Sequence, residues 1–313
     1  MHDITRKTNT LRISTAEATV HMRPETIERI QRKDIPKGDV LEVARVAGIQ
    51  AAKNCSQLIP LVHPVPVEFV GILFAIGEKE IVVTATVKAI ARTGLEMEAL
   101  TATSTAALTI YDMIRVFDDT LEIDRIRLVI KKGSRFDYRE SFAKPLRAAV
   151  LVVSDAIAAG NKEDLAGKLI ADRLRGEGLR VEDYKVVACD PLAIAPALVS
   201  YADKMSLDLV LTSGGTGFGP RDHTPEATTT VIEREIPGIP EALRAYGQER
   251  APHSMLTRGK SGIRGHTIII NLPGSKKGVA EALDALFPGL LHSFKILWGG
   301  AHPEKKARPE TAG

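Results

Sequence analysis

From Arg147 onward the apolar residues fall into short runs separated by helical stretches, and that alternation leaves few folds open. RAAVLVVSDA is a valine-rich run ending in polar residues, as the first strand of a parallel sheet buried on both faces reads. EDLAGKLIADRLRGEG follows as a helix stopped by Gly176 and Gly178, then LRVEDYKVVAC as a strand. PLAIAPALVSYADKM reads as a helix, and LDLVLTSGG as a strand running into glycines. Strand, helix, strand, helix, strand predicts an α/β domain of three layers around a mainly parallel sheet.

The residues before this follow another pattern. EIVVTATVKAI and RIRLVIKKG alternate like half-exposed strands. DVLEVARVAGIQAAKNCSQL is apolar on most faces, as a helix packed in a core would be, and EALTATSTAALTIYDMIRVFDD is a long helix rich in small residues. Long helices beside antiparallel-type strands predict an α+β domain with helices on one face of the sheet. The pattern changes within FDYRESFAKPL, Asp137–Leu146, and 313 residues suit two domains. The expected division is 1–143 and 147–300, with 301–313 as a polar, proline-containing tail expected to be disordered.

Charge narrows the partners. There are 20 basic against 19 acidic residues up to Ala143, and 22 against 20 beyond it. Neither half is a polycation, so nucleic acid is not an expected partner, whereas local basic clusters suit a phosphorylated small molecule. Cys55 and Cys189 lie one in each half and give no disulfide framework and no zinc spacing, which fits a reducing cytoplasm. MHDITRKTNTLRIS has no apolar signal region, and no run of about 18 apolar residues occurs, so no membrane is expected.

Four clusters in the first half could carry chemistry. KGD, Lys37–Asp39, precedes the first long helix, and LIPLVHPVPV holds His63 on a rigid extended segment. TGLEMEAL places Glu96 and Glu98 before the second long helix, and YDMIR supplies Asp112 and Arg115, three apart and so on one helix face. Each has an ordinary structural explanation: a proline-flanked histidine, acids at a helix N-terminus, a surface ion pair. Taken in order, MHDITRKTNTLR, MRPETIERI, KGDVLEVARVAGIQAAK, LIPLVHPVPV, TGLEMEALTATSTAALTIYDM and RLVIKKG resemble the MoaC-type cyclic pyranopterin monophosphate synthases over residues 1–138. The resemblance implies a ferredoxin-like α+β subunit. It also implies conversion of a cyclised GTP triphosphate to a cyclic pyranopterin monophosphate with release of pyrophosphate. Lys37, Lys53 and Lys131 match the family's basic positions, with Arg12 as a candidate helper, while His63, Glu96, Glu98 and Asp112 match its site. The family carries lysine where this chain has Arg115, a side chain that binds phosphate but does not release its proton. KKGSRFDY replaces a glycine-rich family segment, and LVHP replaces LCHP. Three readings follow: turnover with another proton carrier, such as Lys131 or Lys132; binding without efficient chemistry; or an oligomer-forming scaffold.

In the second half TSGGTGFGPRDHTPEAT, Thr212–Thr228, follows a predicted strand, at the carboxyl ends where α/β proteins place ligands. Gly214, Gly215, Gly217 and Gly219 free the backbone, and the amides here, with Thr216, could cradle phosphate. Thr224 and Pro225 read as the N-cap and first residue of a helix that continues with Glu226. With VVSDAIAAGNKEDLAGKLI, ACDPLAI and NLPGSKKGVAEAL, the loop resembles the MoaB/MogA molybdopterin-binding proteins over about residues 147–298. That resemblance implies transfer of AMP from Mg-ATP to molybdopterin, or binding of the pterin alone. Asp222 matches an acidic position that handles magnesium or the reacting phosphate, and Asp190 a second one. Ser154, Asp155, Arg221 and the Pro273–Ser275 turn, with Gly274, are expected to line the site. Where the family often reads DxSG, this chain has Asp164-Leu165-Ala166-Gly167, and a hydroxyl is lost.

Both resemblances belong to molybdenum cofactor biosynthesis, which implies a bifunctional enzyme acting beside other enzymes of that pathway. A sulfur-inserting step separates the product of one from the substrate of the other, so direct channelling is not expected. Both families form oligomers with threefold axes, which implies a threefold-based homo-oligomer such as a hexamer. The rival is a pterin-binding scaffold whose first site is impaired by Arg115.

Overall fold

The computed structural model describes residues 1–299, so the tail expected at 301–313 lies outside the described residues. The chain forms two compact units, Met1–Asp137 and the residues from Tyr138 onward.

Unit 1 runs β1 (Thr10–His21), α1 (Pro24–Gln31), α2 (Val40–Lys53), α3 (Cys55–Leu58), β2 (Phe69–Ile76), β3 (Glu80–Ala91), α4 (Glu96–Ile114) and β4 (Glu122–Lys132). Its sheet is antiparallel throughout, in the order β2-β3-β1-β4. Period-two alternation decides which face is covered: Ile81, Val83, Ala85, Val87, Ala89 and Ala91 of β3 point into the core beneath α2 and α4. The small residues of α4 set the helix spacing. Ala99, Ala102, Ala106 and Ala107 are fully buried, and a Cβ on Gly48 would stand 2.9 Å from the Ala102 carbonyl oxygen. Two expectations change here. α2 is apolar on most faces, yet Val43 and Val46 are exposed, because only the Ala44, Gly48 and Ala51 side meets α4. The long helix read across EALTATSTAALTIYDMIRVFDD stops short: α4 ends at Ile114, and Asp112 and Arg115 stand in solvent.

Unit 2 runs β5 (Arg147–Val153), α5 (Asp155–Ala158), α6 (Ala166–Gly176), β6 (Arg180–Val187), α7 (Pro191–Val199), β7 (Leu209–Ser213), α8 (Thr224–Val231), β8 (Arg234–Glu235), α9 (Gly238–Gln248), β9 (Ser261–Arg264), β10 (Thr267–Leu272), α10 (Lys276–Leu286) and α11 (His292–Leu297). One sheet, in the order β6-β5-β7-β10-β9-β8, lies between two apolar layers. The mainly parallel sheet expected from the sequence is in fact mixed. β6, β5, β7 and β10 are parallel, but β9 pairs antiparallel with β10, and β8 antiparallel with β9. The reason is the two-residue turn Gly265-His266, where Gly265 takes φ +55° and folds β10 back along β9. The carboxyl ends of β5, β7 and β10 open on one edge and carry the loops that matter below.

One buried carboxylate ties unit 1 together. Asp118 accepts from Arg23 N (2.8 Å), Arg23 Nε (3.1 Å), Thr26 Oγ1 (2.7 Å), Thr120 N (2.9 Å) and Thr120 Oγ1 (2.6 Å), joining the β1–α1 turn to the α4–β4 loop. Burial pushes its carboxyl up, but these hydrogen bonds together outweigh burial and hold it far below the ordinary carboxylate range. A depressed folded-state value means stability that is present above the unfolded value of about 4 and lost as pH falls below it. Asp118→Asn is expected to destabilise unit 1 by about 2–4 kcal/mol at pH 7. In urea titrations the gap between wild type and variant should shrink as pH falls from 5 towards 3; a gap that is constant with pH would refute the assignment.

Candidate functional site

Unit 1 gathers the sequence-predicted residues at the two ends of α4. At the C-terminal end the Lys37 ammonium donates to the Asp112 carboxylate at 2.9 Å and to the Asp112 carbonyl at 2.8 Å. Arg115 Nε stands 3.3 Å from the other carboxylate oxygen. The Lys37 hydrogen bond, reinforced by the charges of Lys37 and Arg115, holds the Asp112 carboxyl below its ordinary value. The aspartate of the KGD motif does other work: Asp39 caps α2 through Glu42 N at 3.3 Å.

At the N-terminal end Lys131 Nζ stands 2.5 Å from Glu96 Oε1. Lys131 reaches it because its β1 partner is Ser14, which faces the helices; Lys132, next along the strand, points to the other face. Arg12 is buried and donates to the carbonyls of Ala91 (3.2 Å) and Arg92 (3.4 Å) on the loop that enters α4. Glu98 is only 2% exposed. Burial pushes its carboxyl up, the charge of Glu96 adds to this, and its own backbone amide offsets part. The buried Cys55 thiol, 3.5 Å from Thr101 Oγ1, is also pushed up by burial and by the charge of Glu98. The Lys37–Asp112 and Cys55–Thr101 contacts show that α2 runs antiparallel to α4, so Lys53, in the last turn of α2, lies at the Glu98 end. His63 is half-buried on the extended segment that follows α3. Between Glu96 and Asp112 the helix rises roughly 24 Å. One copy therefore holds two clusters, not one.

In unit 2 the glycine loop leaves β7 against the end of β5. Gly214 takes φ +99°, and a Cβ there would lie 2.3 Å from the Val153 carbonyl oxygen, so this position needs glycine. The amides of Gly215, Thr216, Gly217 and Phe218 have no acceptor among the described residues. Four successive free amides are the kind of donor set that anion-binding nests use. Asp222 Oδ2 accepts from Gly219 N at 2.8 Å, and its second oxygen has no hydrogen bond among the described residues. Asp155 accepts from Cys189 N at 2.9 Å and pairs with Arg221 at 2.9 Å, binding the end of β5 to the loop and to the start of α7. Ser154, Asp190 and Ser275 cap α5, α7 and α10. Gly274 packs so closely that a Cβ would stand 3.1 Å from the Gly214 Cα. Asp164 accepts from Gly167 N (2.8 Å) and from the Tyr184 hydroxyl, while Ala166, where the family hydroxyl is lost, is buried. Pro225 and Glu226 form the first turn of α8.

Beside the loop, α9, the short turn Pro252–Leu256 and α10 enclose a cavity of about 220 Å³. Leu243, Arg244, Ser254, Asn271, Pro273 and Lys277 are among its lining. Arg244 is half-buried there and has no hydrogen bond or ion pair among the described residues.

A model described as the MoaC family matches residues 1–134, and one described as "Probable molybdopterin binding domain" matches 149–292. A cyclic pyranopterin monophosphate synthase of Magnetococcus marinus is 50% identical over 137 residues, 43% of this chain and 84% of that one. Molybdenum cofactor biosynthesis bifunctional proteins match along the whole length: that of Synechococcus elongatus is 37% identical over 96% of this chain and 98% of its own. That of Chlorobaculum tepidum is 40% identical over 302 residues, 96% of each chain. The chain belongs to the family of molybdenum cofactor biosynthesis bifunctional proteins.

For this bifunctional protein the structure also corrects the reading of Thr224 and adds three residues. Thr224 does not cap α8: its buried hydroxyl donates to the Gly214 carbonyl at 2.8 Å, inside the loop. Arg258 binds the same loop from outside, and buried Asn271 links Thr212 (3.0 Å) to Thr228 (2.8 Å) beneath it. Arg244 lines the cavity. Asn271 opens the NLPGSKKGVAEAL segment quoted for the resemblance, but Arg258 and Arg244 carried no sequence signal.

A raised folded-state carboxyl such as Glu98 favours the fold below the unfolded value of about 4.3, and that advantage is lost as pH rises through the folded value. Glu98→Gln is therefore expected to raise the thermal midpoint of the bifunctional protein at pH 8 by a few degrees, while leaving it unchanged or lower near pH 4. Scanning calorimetry at both pH values checks the sign; a lower midpoint at pH 8 would contradict a desolvated carboxylate.

Proposed function

We propose that unit 1 converts cyclised GTP (3′,8-cyclo-7,8-dihydroguanosine triphosphate) to cyclic pyranopterin monophosphate with release of pyrophosphate, and that unit 2 adenylylates molybdopterin with Mg-ATP. Residues 1–143 and 147–300 then form two catalytic domains of one cofactor pathway. The order β2-β3-β1-β4, with helices joining β1 to β2 and β3 to β4, supports reading unit 1 as ferredoxin-like.

The observation that carries unit 1 is the pairing of cations with a proton-holding acid. Lys131, Arg12 and Lys53 supply charge for a triphosphate at the Glu98 end, and Glu98 is kept able to hold a proton by burial. The Lys37–Asp112–Arg115 cluster lies at the other end of α4, beyond the reach of one small substrate. A site that uses both clusters takes one from each of two copies, which supports the homo-oligomer. Mixing Glu98→Gln subunits with Asp112→Asn subunits, each nearly inactive alone, should restore turnover; mixtures as dead as their parents would place the whole site in one copy.

Arg115 favours a second reading, a scaffold with an impaired first site. Within the cluster, however, Lys37 already stands against Asp112 as a side chain that can release a proton. Lys37→Ala is expected to lower cyclic pyranopterin formation about a hundredfold or more, and Arg115→Lys to leave it near wild type. Wild-type inactivity cured by Arg115→Lys would establish the scaffold reading instead.

Unit 2 rests on the four free amides at Gly215–Phe218, which suit the phosphates of a nucleotide. Among the described residues no three His, Cys, Asp or Glu side chains form a metal cluster. One carboxylate plus substrate phosphates is nevertheless the usual way to hold magnesium, and Asp222, with one oxygen uncommitted, fits that role. The cation would neutralise phosphate charge. The adjoining cavity suits the pterin, with the Arg244 fork facing its polar edge. Arg244→Ala should weaken molybdopterin binding about tenfold without changing ATP binding, as calorimetry would show.

A further inference from the structure

We propose that the Arg258 side chain is a positioning group that aims the Phe218 amide and closes the glycine loop of unit 2. Only the identity of the anion rests on the adenylyl-transfer reading; the geometry of the nest does not. A trans peptide is planar, with its C=O and the following N–H pointing in opposite directions. Whatever binds a carbonyl in the loop therefore sets where the next amide points. Thr224 binds the first two: its hydroxyl donates to the Gly214 carbonyl at 2.8 Å, and its N–H to the Gly215 carbonyl at 3.0 Å. This turns the amides of Gly215 and Thr216 away from α8. Arg258 binds the next two. Its backbone N–H donates to the Thr216 carbonyl at 2.9 Å, and its Nε to the Gly217 carbonyl at 2.7 Å. The amides of Gly217 and Phe218 are thereby aimed away from Arg258. Nη2 donates to the Asp222 carbonyl at 2.7 Å and closes the far side of the loop.

Charge does not explain the residue, because Nη1 is paired with the Glu226 carboxylate. What the site uses is the planar fork of directed donors, which lysine lacks. Thr257 adds a weaker contact from its hydroxyl to that of Thr216, at 3.3 Å.

The test compares wild type, Arg258→Lys and Arg258→Gln in the full-length protein by hydrogen exchange and by calorimetry with ATP and with inorganic pyrophosphate. The bonded loop amides of Gly219, Asp222 and Thr224 should exchange faster in both variants, with α6 and α10 unchanged. ATP affinity should fall about tenfold or more, and Arg258→Lys should not rescue it although it keeps the charge. Wild-type loop exchange in both variants, or rescue by lysine, overturns the proposal. A rise in exchange throughout unit 2 also overturns it, since Arg258 would then be a general stabiliser. If wild type binds neither ATP nor pyrophosphate, the adenylyl-transfer reading fails, and loop exchange alone decides the role of Arg258.

Discussion

Unit 2 is organised around four backbone donors left without acceptors. A buried amide without a partner is costly, so a run of them persists only on an open edge and only if the chain on either side is held firmly. The parallel part of the sheet provides that support. β5 and β10 flank β7, the Gly214 amide donates to Leu272, and Gly274 packs on the Gly214 Cα. At 217 and 219 a Cβ would stand 2.9 Å from the Asp222 carboxylate, so the glycines give that side chain its room. The Asp222 carboxylate therefore packs directly against the loop that carries the free amides.

Unit 1 depends on a different constraint, the stiffness and smoothness of α4. Its alanines let α2 approach closely over one face of the sheet, and the antiparallel pairing of the two helices carries Lys37 to one end and Lys53 to the other. A rigid rod keeps the two clusters apart. Their chemistry differs accordingly. The Glu98 end is buried and favours protonated carboxyl, whereas the Asp112 end is exposed, cation-rich and favours carboxylate. Two environments that push two carboxyls in opposite directions suit separate donor and acceptor roles.

Much of this was legible in the sequence because periodicity reports burial. The alternation in EIVVTATVKAI gave β3 and its core face, and the valine run at Arg147–Val153 gave β5. The β9–β10 hairpin was not legible. Its strands are four and six residues long, and the turn Gly265-His266 lacks the usual asparagine or aspartate signal. Motif order marked which residues matter, but not their distances: Glu96 and Asp112 read as one site and stand at opposite ends of a helix. Thr224 was misassigned because Thr-Pro before a helix is the usual capping signature, and nothing local reveals that the Gly214 carbonyl competes for the hydroxyl. Arg258 was invisible because its partners lie at least 32 residues away.

The arginine at 115 looks different once Lys37 is placed. A lysine there would set two ammonium groups of the same kind against one carboxylate. Arginine removes that ambiguity. It keeps its charge, adds at 3.3 Å to the Lys37 hydrogen bond that holds the Asp112 carboxyl low, and leaves Lys37 as the only lysine of the two cations. Under the proposed chemistry the substitution divides the labour of the cluster, with fixed charge assigned to Arg115 and proton transfer to Lys37.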